Sequence, residues 1–96
     1  MKELLEGEVL GWPRSYTTPG KIPVTVFKLQ VDKEKLGSWV IMPDVVDVTI
    51  QEKRTFRKGE RIRGFYETNS TSIYFDRYQL LDENGEPVYE NTINRD

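Results

Sequence analysis

The sequence contains neither cysteine nor histidine. Without cysteine, disulfides and thiolate metal sites are excluded, so the fold must rest on apolar packing and backbone hydrogen bonds, and a reducing compartment is expected. Without histidine, the commonest general base of enzymes is also missing. Ser-His, Cys-His and zinc-type chemistries are therefore excluded, and we expect a protein that is not an enzyme and needs no metal or cofactor.

Other signatures of catalysis and targeting are also missing. There is no Walker-type loop and no G-x-G-x-x-G. Glu6 and Glu8 share one face of a predicted strand, but a solvated strand face explains that spacing better than paired-acid catalysis. No apolar run approaches membrane-spanning length, and acidic residues interrupt the first eight positions where a secretory signal would be apolar. We therefore expect a cytoplasmic protein with no membrane partner.

Length and charge indicate one small domain. The 96 residues suffice for a single hydrophobic core. The formal net charge is −2, and residues 82–96 hold five acids against Arg95, which is −4 and leaves +2 for residues 1–81. We predict a mildly basic domain over residues 1–82 and an acidic tail over 83–96. Two alternatives are open for the tail, disorder or a short added strand at Val88-Tyr89.

Short β-branched and aromatic runs, separated by Gly, Pro, Asn and Asp, predict an all-β fold. The predicted strands cover about residues 4–12, 24–32, 38–42, 61–66 and 72–81. Three prolines predict that residues 13–23 are a loop. Residues 43–56 stay open between a β-like segment at 47–51 and a helical turn near 43–46.

The glycines of the first strand, the Pro/Gly-rich first loop and the turn Lys58-Gly59-Glu60 before the fourth strand resemble the oligonucleotide/oligosaccharide-binding (OB) fold. The resemblance implies a small five-stranded OB-like Greek-key barrel, here with a weak or absent helix between strands 3 and 4. An SH3-like barrel is the alternative. The resemblance also implies a ligand surface on strands two and three and on the flanking loops.

Residues 53–63 form a basic cluster of six cations and one acid, with Phe56 among them. Such a segment can follow a phosphate backbone while an aromatic ring stacks on bases. The alternative is a solvated turn before an edge strand whose arginines prevent aggregation.

Two functional hypotheses follow. The first is a binding module for single-stranded DNA or RNA with little sequence preference, in which the acidic tail competes for the basic groove. The second is a protein-interaction or assembly module that uses a barrel edge or face to bind a protein partner or a further copy of itself. The candidate nucleic-acid-binding residues are Tyr16, Lys21, Lys28, Trp39, Arg54, Arg57, Arg61 and Arg63.

Overall fold

The strands of the chain form a closed β-barrel, and their alternating apolar residues fill its interior. The structure is a computed structural model that describes residues 2–11, 13–37, 41–68 and 72–92. Its seven strands are β1 (Lys2–Val9), β2 (Arg14–Thr17), β3 (Pro23–Val31), β4 (Val45–Ile50), β5 (Arg61–Glu67), β6 (Ile73–Leu81) and β7 (Pro87–Thr92). The helical content of these residues is one 3₁₀ turn, Lys33–Lys35.

Five of the strands form the closed barrel. Around it, β1 pairs with β5, β5 with β6, β6 with β4, β4 with β3, and β3 with β1. The pairing of β4 with β6 is parallel, and the other four are antiparallel. The strands β2 and β7 are additions at the edges of β3 and β6. The predicted all-β, five-stranded barrel is thereby confirmed, and it is compatible with an OB-like fold. Residues 51–60 between β4 and β5 contain no helix, as predicted.

The barrel turns a corner between β1 and β2, because both strands pair with the same edge of β3. Val9 lies opposite Leu29 and Arg14 opposite Val26, so the β1–β2 side holds two extra residues. Gly11 lies in this bend with φ +108°, a conformation that L side chains rarely adopt. The first-strand glycines thus mark the curvature that a barrel corner requires.

The prediction that residues 13–23 are only a loop was wrong, because they contain β2. The prolines flank this strand without interrupting it: Pro13 precedes it, and Pro23 is the first residue of β3, where a strand tolerates proline. The amide of Thr18 donates to the carbonyl of Ile22 at 2.9 Å and closes the turn between the two strands.

The third barrel strand was also misplaced. Residues 38–40 lie outside the described residues, and Ile41 and Met42 belong to no strand. The strand is β4, inside the segment for which two alternatives were open. Val48 and Ile50 are fully buried there while Asp47 is exposed, so the β-like alternative is the one observed.

The tail adds a strand to the barrel at residues 87–92. β7 pairs antiparallel with β6, and Tyr89 lies opposite Leu80. Of the two alternatives for the tail, an added strand is therefore observed for these residues. Residues 93–96 lie outside the described part of the chain.

The core lies inside the barrel and is rich in aromatic rings. Phe27 and Phe56 pack with ring centroids 4.6 Å apart, and Phe75 is fully buried. A bulge in β6 near Asp76 shifts the register, so that Phe75 and Tyr78 are both buried. Of the three phenylalanines predicted for the core, at positions 27, 65 and 75, the one at 65 is only half-buried. No helix of the described residues is long and apolar enough to cross a membrane.

Candidate ligand-binding face

The register of four strands places one row of side chains on the outside of the barrel. Arg14 lies opposite Val26, Val26 opposite Thr49, and Thr49 beside Tyr74. Residues that are partners in register share a face of the sheet, and alternate residues lie on opposite faces. Because Thr25 and Ile50 are fully buried, their neighbours Val26 and Thr49 lie outside.

Further rows lie on either side of this one. Tyr16 lies opposite Val24, and Lys28 lies opposite Asp47. We call this surface the β2–β3–β4 face. It consists of Arg14, Tyr16, Val24, Val26, Lys28, Asp47 and Thr49, with Tyr74 beside it on β6.

Tyr16 is the exposed aromatic residue of this face. Half of its surface is accessible (50%), while Val24 opposite it is almost completely covered (2%). Across the face, the Tyr74 hydroxyl donates to Oε1 of Gln51 at 3.0 Å, which fixes the position of that ring. The face therefore presents one exposed ring beside a β-branched floor, a surface on which a planar group can stack.

The charged residues of the β2–β3 hairpin itself are all cations. Residues 9–31 contain Arg14, Lys21 and Lys28 and no aspartate or glutamate. Arg14 and Lys21 are exposed and form no ion pair with other described residues, and Lys28 Nζ lies 3.0 Å from Asp47 Oδ1. Since both partners of that pair are 62% exposed, solvent screens the interaction and Lys28 can exchange its partner at little cost.

Sequence reasoning selected Tyr16, Lys21 and Lys28, and the structure places all three on this hairpin. It missed Arg14 and Tyr74. A signal for Arg14 was present in the 23-residue stretch without an acid, whereas Tyr74 joins the face only through the parallel pairing of β4 with β6.

The arginines of β5 lie on a different part of the barrel and are paired with acids. Arg61 Nη2 lies 3.1 Å from carboxylate oxygens of both Glu6 and Asp32. Arg63 Nη1 lies 3.6 Å from Glu6, and its Nη2 donates to Gln79 Oε1 at 2.9 Å. Glu6 is only 5% exposed, so the interpretation of this residue as part of a solvated strand face was wrong.

The remaining candidates are dispersed. The Arg54 guanidinium lies over the Tyr89 ring, 4.2 Å from its centroid, and 3.6 Å from Glu52. Arg57 is exposed in the turn before β5, and Phe56 is buried in the core, so the suggested stacking role of Phe56 was wrong. Trp39 lies outside the described residues. The basic cluster at 53–63 is therefore not one continuous surface.

A polar cluster around Glu52 joins the end of β4 to β7. The Glu52 carboxylate accepts hydrogen bonds from the hydroxyls of Tyr78 and Tyr89, the latter at 2.8 Å, and from the side-chain amide of Asn91 at 2.5 Å. Burial raises the pKa of Glu52, but these hydrogen bonds and the charge of Arg54 outweigh it, so the pKa lies below its ordinary value. Burial and the bond to Glu52 raise the pKa of Tyr78, so it is a neutral donor at physiological pH.

No three acidic side chains among the described residues are close enough together to hold a metal ion. No protein-family model matches the chain, and no curated protein or solved structure resembles it significantly. The function therefore has to be argued from the chemistry of the β2–β3–β4 face.

Proposed function

We propose that this protein is a non-catalytic, OB-like module that binds single-stranded nucleic acid on the β2–β3–β4 face. One observation carries the proposal: the half-exposed ring of Tyr16 lies in a hairpin that contains three cations and no acid. In OB folds, the second and third barrel strands and the loop before them form the ligand surface, and here these are β3, β4 and the β2–β3 hairpin.

The three cations and the ring have separate tasks in this proposal. Arg14, Lys21 and Lys28 neutralise phosphates, which provides affinity independent of sequence. A base stacks on Tyr16, an interaction worth about 1–3 kcal/mol and tolerant of base identity because every base has a π face. The ligand is single-stranded because only an unpaired base can turn its plane onto the ring.

The pairing of the β5 arginines supports this choice of face. Arg61 and Arg63 already neutralise Glu6, and a phosphate bound to them would leave that carboxylate buried without its partners. Removing one partner of a buried ion pair is costly. The cations of the β2–β3 hairpin do not neutralise a buried acid among the described residues, so a phosphate can bind them without this cost.

The test compares two arginines that differ only in position. Arg14→Ala and Arg77→Ala change the net charge equally, but Arg77 lies on the outer surface of β6 beside the ring of Phe65, at 5.0 Å. Binding of fluorescein-labelled oligo-dT and oligo-U is measured by anisotropy at low salt. We expect Arg14→Ala to weaken binding about fivefold and Tyr16→Ala about tenfold, with Arg77→Ala close to wild type. Equal losses for both arginine variants would instead indicate a non-specific effect of net charge.

A protein-interaction module is the second candidate. It is supported by a different feature, the unpaired edge of β2, for which no pairing strand is found among the described residues.

A further inference from the structure

The outer edge of β2 presents unused backbone hydrogen-bonding groups. β2 pairs with β3 on one side, and none of the other strands in the described ranges lies on the other. Residues Arg14–Thr17 are all exposed. In an antiparallel pair, successive residues direct their N–H and C=O alternately toward and away from the partner. Because Thr18 bonds to Ile22, the residues that face away from β3 are Ser15 and Thr17.

Side chains hold this edge in place. Ser15 Oγ lies 2.7 Å from the buried Thr25 Oγ1, which also donates to the carbonyl of Glu52 at 2.6 Å. The amide of Arg54 donates to Thr25 Oγ1 at 3.0 Å. β2 is therefore joined to β3 through both backbone and side chains. An edge that is already ordered loses little entropy when a further strand binds.

We propose that the edge of β2 binds an extended, acidic segment of a partner protein, which adds to the sheet as a further strand. The backbone of Ser15 and Thr17 provides the hydrogen bonds, and alternate side chains of the added strand lie beside Arg14 and Tyr16 on the outer face. The acid-free stretch around β2 selects acidic side chains there. A second copy of the chain would bring another stretch of net charge +3 against this one and is disfavoured by that repulsion.

Both proposals use the side chains of Arg14 and Tyr16, but only strand addition needs the free backbone edge at Ser15 and Thr17, so a change confined to that edge distinguishes them. The probe is a fluorescein-labelled, capped peptide of four Glu-Val repeats, and a Lys-Val peptide of equal length is its counterpart. Thr17→Pro removes the amide that points to the free edge and leaves the bonds between β2 and β3, because Thr17 does not bond to β3. Thr17→Val keeps the amide and a similar shape.

We expect wild type and Thr17→Val to bind the Glu-Val peptide within about twofold of each other, and Thr17→Pro at least about tenfold more weakly. Circular dichroism and thermal unfolding show whether Thr17→Pro is folded. If it is not, Arg14→Glu replaces it, with weaker binding of the Glu-Val peptide and stronger binding of the Lys-Val peptide expected.

Three outcomes would overturn the proposal. The first is equal peptide binding by folded Thr17→Pro and wild type, which would show that the backbone edge of β2 does not bind the peptide. The second is equal affinity for the Lys-Val and Glu-Val peptides, which would remove the charge selection. The third is self-association in sedimentation that Thr17→Pro abolishes, without peptide binding, which would assign the edge to a second copy of the chain.

Discussion

At the scale of single residues, the Glu52 carboxylate has four side-chain partners. Two tyrosine hydroxyls and one amide donate to it, and Arg54 lies 3.6 Å away. Hydrogen bonds to a charged group contribute about 1.5–3 kcal/mol each when they are well formed. Because these donors come from β6 and β7, a single ionised side chain links the end of β4 to both strands.

We predict that Glu52→Gln lowers the free energy of unfolding at pH 7 by about 2 kcal/mol. Since the pKa of Glu52 is lowered in the folded protein, its stabilisation is present above the unfolded-state value, about 4.3, and is lost as the pH falls through the folded value. Urea unfolding at pH 7 and at pH 3 measures both effects. The difference between variant and wild type should be large at pH 7 and small at pH 3.

Glu86→Gln is the matched control, since it removes the same charge from an exposed side chain. It should leave the stability at pH 7 within about 0.5 kcal/mol of wild type. If Glu52→Gln were no more damaging than this control, the cluster would contribute nothing to stability.

The charge pattern of a sequence does not determine which of its cations are paired with acids in the fold. The spacing of Arg61 and Arg63 indicates a basic strand, but their partner Glu6 lies 55 positions from Arg61. Closure of the barrel brings β1 beside β5 and converts two apparent phosphate ligands into half of an ion-pair network. Lys21 forms no ion pair with another described residue, and Lys28 has only the exposed pair with Asp47, so these two predicted cations are not tied to a buried acid.

At the scale of elements, strands with a clear alternation of apolar residues were predicted well. Thr25, Phe27, Leu29 and Val31 form the predicted apolar face of β3, and all are buried. β2 has no such pattern because all four of its residues are exposed, and it is a strand only because β3 provides its hydrogen bonds. Exposed strands of this kind leave no periodic signal in a sequence.

β7 is part of the fold, which gives a prediction for truncation. Ending the chain after residue 86 removes Tyr89 and Asn91 from Glu52 and exposes Tyr78, which is now only 3% accessible. We expect a loss of at least about 2 kcal/mol in the free energy of unfolding, measured by urea denaturation. Ending the chain after residue 92 keeps the strand and is the control, and equal stability of the two truncations would contradict an integral β7.

The pairing of β7 with β6 also affects how the hypothesis of a competing acidic tail can be tested. Deleting residues 83–96 would remove a strand together with the acids, so any change in affinity would be hard to assign. Neutralising Glu86 and Glu90 by glutamine keeps β7 in place, since both side chains are exposed. That variant removes two of the four acids of residues 83–96 while the strand stays in place.

At the scale of the whole molecule, the distribution of charge matters more than its sum. The protein is formally −2, yet residues 9–31 carry +3 without an acid. Charges more than a Debye length apart, about 10 Å at 0.1 M salt, are largely screened from one another. A ligand on the β2–β3–β4 face therefore experiences mainly the charges of that face, which are three cations and Asp47.

The salt dependence of oligonucleotide binding shows how many phosphates those cations neutralise. Binding to single strands weakens with a slope of roughly −0.7 per neutralised phosphate in a plot of log affinity against log salt. Three cations predict a slope of about −2, and therefore about a 20-fold loss of oligo-dT affinity between 50 and 200 mM salt. Anisotropy titrations across that range measure the slope directly.

Two triple variants of equal net charge test whether the cations of the β2–β3–β4 face are the ones that produce the slope. Alanines at Arg14, Lys21 and Lys28 should reduce the slope to near zero. Alanines at Lys35, Arg57 and Lys58, which are exposed cations elsewhere on the barrel, should leave it near −2. A slope of about −3.5 in the wild type would mean that phosphates also reach Arg61 and Arg63 and displace their acids. A flat slope with retained binding would remove phosphate contacts from the interaction, and the unpaired edge of β2 would then be the surface that accounts for it.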